Sequence, residues 1–472
     1  MFDLRIVNGD VVTEAGVARA DIAVQEGRIA ALLDPRFPQE AKETVDARGQ
    51  IVIPGVVDAH VHVRTVQSLA AETVETASVA GAYGGVTSFL IFITAAQPAG
   101  TSTESAIYPD LKTSGVNVEE FFGRVIDEGC RSSVTDFGIH CMLLPDPDFE
   151  ARVDALLAMG IPSFKLMMAY GRRGWVSDDQ VLARAMDVIA DRGGLAMVHA
   201  ENDGLIRHLE EKYRSRDNYK AGTFLATRPN RSEGEAVYRA IQIAGAVGCP
   251  LYVVHLTTRE GLEHVMRAKE SGQRVYAETC PQYLLLTDQD TVRLGSLVKA
   301  APPLRSSEDN EALWRGIQQG FVEIVSTDHA GFHVERQKQS AATFAEAPFG
   351  MPGMETLLPL MYSEGVAKNR ISLAQLVNLL CTGPAKRFGL YPKKGTIQIG
   401  ADADLVILDP DAEWEISRDN MHTAAGYSPF EGRRIRGKPV RSFLRGKTLL
   451  KDGKLGQQAG FGQYLRRSVK QN

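Results

Sequence analysis

The chain has 472 residues, 44% hydrophobic and 24% charged, a composition that excludes wholesale disorder and can bury a large core. A formal net charge of −5, spread along the sequence, leaves no basic patch for nucleic acid or an anionic membrane surface. Five cysteines without a CxxC spacing exclude a disulfide framework and a thiolate zinc site, and read as reduced thiols.

The first 55 residues hold short strand-like stretches, LRIVNG, DIAVQEGRIAAL and IVIPG, punctuated by Gly, Asn and charged turn residues. The start lacks a basic segment followed by an apolar core, and no run of about 18 apolar residues occurs anywhere. A cytoplasmic protein without a transmembrane helix is therefore expected. From residue 56 the texture changes to apolar strands alternating with amphipathic helices, the pattern of a parallel α/β architecture. After the strand that leads into His60, the candidates are VTSFLIFI at 86–93, FGIHCML at 137–143, SFKLMMA at 163–169, LAMVHA at 195–200, LYVVHL at 251–256, RVYAETC at 274–280 and EIVSTDH at 323–329. Helical patterns such as DDQVLARAMDVIADRG and REGLEHVMRAKESG lie between them and end at Gly. Eight such strands predict a (β/α)8 TIM barrel over 56–390. Short β-rich runs return in GTIQIGADADLVILDP and RIRGKPVRSFLRGKTLLKDGK, so 1–55 and 391–472 are expected to pair into one β domain.

Polar residues recur at the carboxyl ends of these strands, where barrel active sites sit. His60 and His62, two apart in DAHVH, share one face of an extended strand and can converge on one cation. Lys165 lies in the fourth strand, His199 ends the fifth, His255 the sixth and Asp328 the eighth. Singly, each has a plain structural explanation: a strand histidine usually satisfies a core hydrogen bond, and an aspartate usually caps a helix. Their recurrence at one end of the predicted fold carries the metal reading. His140, His208, His264, His333 and His422 are given no metal role, and His329 suits a structural role as well as an orienting one. Lys165 is either a snorkelling or ion-paired lysine, or a desolvated amine able to take up carbon dioxide. The resulting carbamate could bridge two cations roughly 3.5 to 4 Å apart.

The motifs GVVDAHVH, GIPSFKLMMAY, MVHAEN, YVVHLT, ETCPQYL, APPLR, STDHAGF and YSPFEG, in this order, resemble the amidohydrolase superfamily and its hydantoinase and dihydropyrimidinase branch. The resemblance implies a (β/α)8 barrel, a β-sandwich built from both chain ends, and two divalent metal ions, usually Zn2+ with Mn2+ as the alternative. It implies that His60, His62 and Asp328 hold the more buried ion, that His199 and His255 hold the more exposed one, and that carboxylated Lys165 bridges them. Relatives that act as non-catalytic scaffolds have lost ligands; none is missing here.

The implied reaction is ring opening of a hydantoin or dihydropyrimidine type cyclic amide to an N-carbamoyl amino acid by a metal-bridging hydroxide. Asp328 would shuttle the proton and Tyr170 would donate a hydrogen bond to the developing oxyanion. Allantoin, dihydroorotate and a cyclic imide are alternative substrates. Ala301 and Phe349 stand in the substrate-contacting segments APPLR and APFGMPG, where the branch usually has Ser and often Asn. Arg64, in HVHVR, is either a loop ion pair or an anion-recognition residue like that of dihydroorotases. The stretch 94–118 is expected to be a long loop at the catalytic mouth, and the tail GFGQYLRRSVKQN resembles tails that pack between subunits, implying a homotetramer, with a dimer as the alternative.

Overall fold

A computed structural model describes residues 1–37, 39–65, 68–98, 111–146, 148–213 and 219–468. Its centre is a curled parallel sheet whose strands follow chain order. They are Val56–His62, Val86–Ile93, Asp136–Met142, Ser163–Met167, Leu195–His199, Leu251–Val253, Val275–Thr279 and an eighth strand in two pieces, Ile324–Val325 and His329–Ala330. The first piece pairs with the seventh strand, through Glu278 opposite Ile324. The second pairs with the first strand, through His329 opposite Val61. The two ends of the sheet are thus three residues apart in the chain, and the sheet closes into the expected barrel.

Asp58 holds the gap between the two pieces. Its carboxylate accepts from the Thr327 amide at 3.1 Å and the Thr327 hydroxyl at 2.6 Å, in place of the missing ladder bonds. Alternate residues of the strands, among them Val57, Ala59, Phe92, Met197 and Tyr252, fill the barrel interior, while Val56, Ile91, Ile139 and Val198 face the helices. The helices carry their apolar faces inward: Asp179–Asp191 buries Leu182, Ala185, Met186 and Ile189. Asp178 caps its first turn through Val181 N at 2.9 Å, and Gly193, with φ 70°, follows its end.

Both chain ends contribute to two further sheets. One pairs Leu405–Glu415 antiparallel to Ile51–Pro54 and adds Arg434–Leu444, Lys447–Lys451, Lys454–Leu455, Asp10–Thr13 and Gly16–Arg19. The other contains Phe2–Val7, Asp21–Gln25, Arg28–Leu33 and Ala41–Asp46. Leu4, Ile6, Ile22, Val52, Leu405 and Phe443 form the shared apolar core of this sandwich. Buried Lys394 ties it to the barrel, reaching Asp136 at 2.6 Å, Asp404 at 2.7 Å and Asp402 at 2.9 Å. The three carboxylates could otherwise be taken for a cation site; the ammonium stands among them.

The described part of the tail packs onto its own barrel. Leu465 N donates to Phe137 O at 2.7 Å, Arg467 N to Gly160 O at 3.0 Å, and the Leu465 side chain closes the interior beside Phe388 and Leu390. In the loop expected over 94–118, Gln97–Pro98 and Leu111–Lys112 form a two-stranded ladder, and 99–110 lie outside the described residues. No helix among the described residues is long and apolar enough to cross a membrane.

Candidate metal centre

The first strand points His60 and His62 to one side, with their Nε2 atoms 3.2 Å apart. Asp328 Oδ1 lies 3.1 Å from the first and 3.3 Å from the second. Lys165 Nζ stands 3.1 Å from His60 Nε2. From the neighbouring strands, His199 Nδ1 and His255 Nε2 approach to 3.0 Å. The His60, His62 and Asp328 ligand atoms all lie within 4.8 Å of one another, a grouping that could hold a cation.

The outer ring nitrogens explain why the inner ones are available. Glu278 takes His60 Nδ1, and Glu201 takes His199 Nε2 at 2.8 Å, fixing each imidazole by a buried carboxylate as metal ligands commonly are. Burial lowers the pKa of all four histidines, His60 and His255 well below the usual range, so they present neutral nitrogens. Burial also brings Lys165 down to about 8. For Asp328, burial raises the carboxyl pKa, but His60, His62 and His255 outweigh it and keep the group ionised.

Two of these donors sit differently from the sequence expectation. The sixth strand stops at Val253 and the first piece of the eighth at Val325, so His255 and Asp328 lie beyond the strand ends. Both have left-handed backbones, φ 38° and 50°, and Tyr170 shares the feature at φ 69°. Leaving the ladder in this way turns the side chain over the barrel mouth, at the conformational cost common in functional sites.

A cavity of about 110 Å³ contains His62, Lys165, His199, His255 and Asp328, with Tyr170, Ala301 and Phe349 on its wall beside Met142, Met167 and Trp175. The Tyr170 ring lies 5.2 Å from that of His199 and is edge-on to Trp175 at 5.8 Å. Arg64 is not on this wall. It is exposed, and its guanidinium donates to Ala70 O at 2.8 Å and Ala71 O at 3.4 Å, holding its own loop. His140 is a satisfied core residue, bonded to Ser163 Oγ at 2.5 Å and Ala59 O at 3.1 Å. His329 takes the structural role, with Nδ1 accepting from Gly353 N at 3.1 Å and Nε2 against Glu72.

Sequence reasoning gave no role to Glu201, Glu278, Asp58 or Arg228. Glu278 is a carboxylate in the otherwise uncharged strand VYAET, the same signal that singled out Lys165. Glu201 follows His199 by two residues, and Arg228 reaches it at 2.7 Å from a distant helix end that no spacing marks.

Residues 51–449 match the amidohydrolase family. The D-hydantoinase of Ralstonia pickettii is 38% identical over 472 residues, covering 98% of this chain and 99% of the relative. The L-hydantoinase of Paenarthrobacter aurescens is 34% identical, covering 99% and 98%. Among solved structures, a dihydropyrimidinase from Brevibacillus agri NCHU1002 superposes with a TM-score of 0.92 at 30% identity, covering 100% of both chains. A fold shared from end to end, closing on this donor set, places the chain in the amidohydrolase family, within its hydantoinase and dihydropyrimidinase branch.

Proposed function

We propose that this protein is a metal-dependent hydrolase that opens a hydantoin or dihydropyrimidine type ring to an N-carbamoyl amino acid. The observation that carries the reading is the gathering of His62, Lys165, His199, His255, Asp328 and Tyr170 around one cavity at the barrel mouth, with His60 beside His62 and Asp328. The names of the similar proteins, hydantoinases of both stereochemical types and a dihydropyrimidinase, support the ring class.

His60, His62 and Asp328 would hold one cation and His199 and His255 a second, with Zn2+ favoured by the nitrogen-rich donor set and Mn2+ the alternative. When bound, such a pair lowers the pKa of a water and polarises an amide carbonyl. Lys165 is proposed to bridge them as a carbamate: with a pKa near 8, a fraction of its amine is neutral at neutral pH. Its nitrogen then bonds to the carbon of carbon dioxide and releases one proton, leaving anionic oxygens.

Asp328, ionised inside a ring of imidazoles, is the group that accepts the proton of the attacking water and returns it to the departing ring nitrogen. Tyr170 donates its phenolic hydrogen to the oxygen that gains charge. Met142, Met167 and Trp175 exclude bulk water from one side of the cavity. Ala301 and Phe349 are proposed to contact the ring, as members of the same wall. Arg64 is proposed to act on the loop and not on substrate, since backbone carbonyls occupy its guanidinium. A small-molecule substrate, a cytoplasmic setting and a homotetramer, with a dimer as the alternative, complete the proposal. Sedimentation analysis decides the oligomer.

The test is metal analysis of purified protein, with hydantoin, dihydrouracil, allantoin, dihydroorotate and a cyclic imide assayed side by side before chelation, after it and after refilling. Ring opening that disappears and returns with metal supports the reading. A folded protein that binds no metal and opens no ring ends it and leaves the scaffold role.

A further inference from the structure

A second cavity of about 370 Å³ lies against the metal cavity, and Tyr170, Arg173 and Phe349 belong to both walls. Lys299 lines it and is only 1% exposed. Its Nζ donates to the carbonyl oxygens of Phe344, Ala345 and Ala347 at 2.6, 2.8 and 2.7 Å. Carbonyl oxygens only accept, and a neutral amine has two N–H groups, so three such partners require the charged ammonium. Burial, Lys338 and Arg228 pull its pKa well below the usual lysine range, and the carbonyls hold the proton against that pull. Among the described residues no carboxylate comes within ion-pairing distance of Lys299.

The surroundings add positive charge. Lys338, equally buried, donates to Pro348 O at 2.8 Å, and among the described residues it too has no carboxylate partner. Arg228 is 4% exposed, with the rings of Tyr170, Phe224 and Phe349 at 5.9, 5.6 and 5.5 Å from its guanidinium. Its Nη1 serves Glu201, while its Nε finds no acceptor among the described residues. Of the acids on the cavity wall, Asp203 pairs with Arg207 at 2.6 Å, Glu210 lies between Arg172 at 3.7 Å and Arg228 at 4.0 Å, and Glu346 is exposed. Lys299 and Lys338 are thus buried without a carboxylate partner among the described residues, which is costly, and an anion in this cavity would offset their charge.

We infer that the outer cavity is a subsite for an anionic substituent of the cyclic amide, a carboxylate on an arm of the ring, seated against Arg228 and Lys299. The inference rests on the hydrolase reading and names its substrate class. Lys299, with all three protons engaged, and Arg228, whose Nη1 serves Glu201, act through their charge; the faces of Phe224 and Phe349 cover the arm.

The experiment compares 5-(2-carboxyethyl)hydantoin with its primary amide of the same shape, using bare hydantoin and bare dihydrouracil as controls on the metal-loaded enzyme. The acid should exceed the amide in kcat/KM by about tenfold or more, through KM, and the advantage should shrink as salt rises. Lys299→Met should bring the ratio toward one. As a measurement free of any folding defect, glutarate should inhibit the unaltered enzyme competitively and glutaramide should not. Bare rings opened with an acid-to-amide ratio near one overturn the subsite and leave the hydrolase reading standing. Failure to open any ring overturns both.

Discussion

His199 gives its Nε2 to Glu201 at 2.8 Å, so that only Nδ1 faces His255 and the centre. Burial raises the pKa of Glu201, but Arg228 and His199 outweigh it and keep the carboxylate charged. Glu201→Gln keeps the shape and removes the charge. Metal affinity should fall by about 10- to 100-fold, measured by chelator competition on variant and parent, with unchanged circular dichroism. Unaltered affinity would mean that the carboxylate does not orient the ligand.

Tyr170 is held over the centre by a left-handed backbone and by Trp175. Tyr170→Phe should leave metal content intact and lower kcat by roughly 10²- to 10³-fold, the range for losing one oxyanion donor. Undiminished turnover rejects the assignment.

Lys394 stands among Asp136, Asp402 and Asp404 where barrel and sandwich meet. Lys394→Met strands buried carboxylates and should cost about 3–5 kcal/mol of stability, read from denaturant unfolding. Activity of the remaining folded fraction should be near that of the parent, because the hub is structural.

Lys338 supplies a pH signature. Its pKa falls from 10.5 to about 7 because burial disfavours the charged form. Between these values the unfolded chain holds more protons than the folded one, so this lysine's destabilising effect is full below about pH 7 and fades as pH rises toward 10.5. Lys338→Met should therefore gain most over the parent at low pH, the gap closing by up to about 1.4 kcal/mol per pH unit across that window. Unfolding midpoints of both proteins at several pH values check this; a gap that does not change with pH would contradict it.

The barrel strands were legible because their apolar runs, such as VTSFLIFI, are long and bounded by turn residues. The donors were legible for the converse reason: His60, Lys165 and His199 are polar groups inside such runs. What escaped was everything that depends on leaving regular structure. The sixth and eighth strands were drawn too long, because the left-handed turns at His255 and Asp328 carry no propensity signal. The partners Glu201 and Arg228 meet only in the folded chain, and the charge of Lys299 is established by carbonyls some 45 residues away in sequence. In HVHVR, Arg64 suits either a loop ion pair or an anion contact, and only the path of its loop shows the backbone carbonyls that its guanidinium meets.

The broken eighth strand gives the metal centre a mechanical meaning. His60 and His62 ride on one lip of the seam and Asp328 on the other, so the proposed cation, held by all three, would be a rivet through the joint of the cylinder. Stripping it should loosen the wall as well as silence the chemistry. Amide hydrogens of 326–330 should then exchange sooner than those of the third strand, which carries none of the donors and does not border the seam.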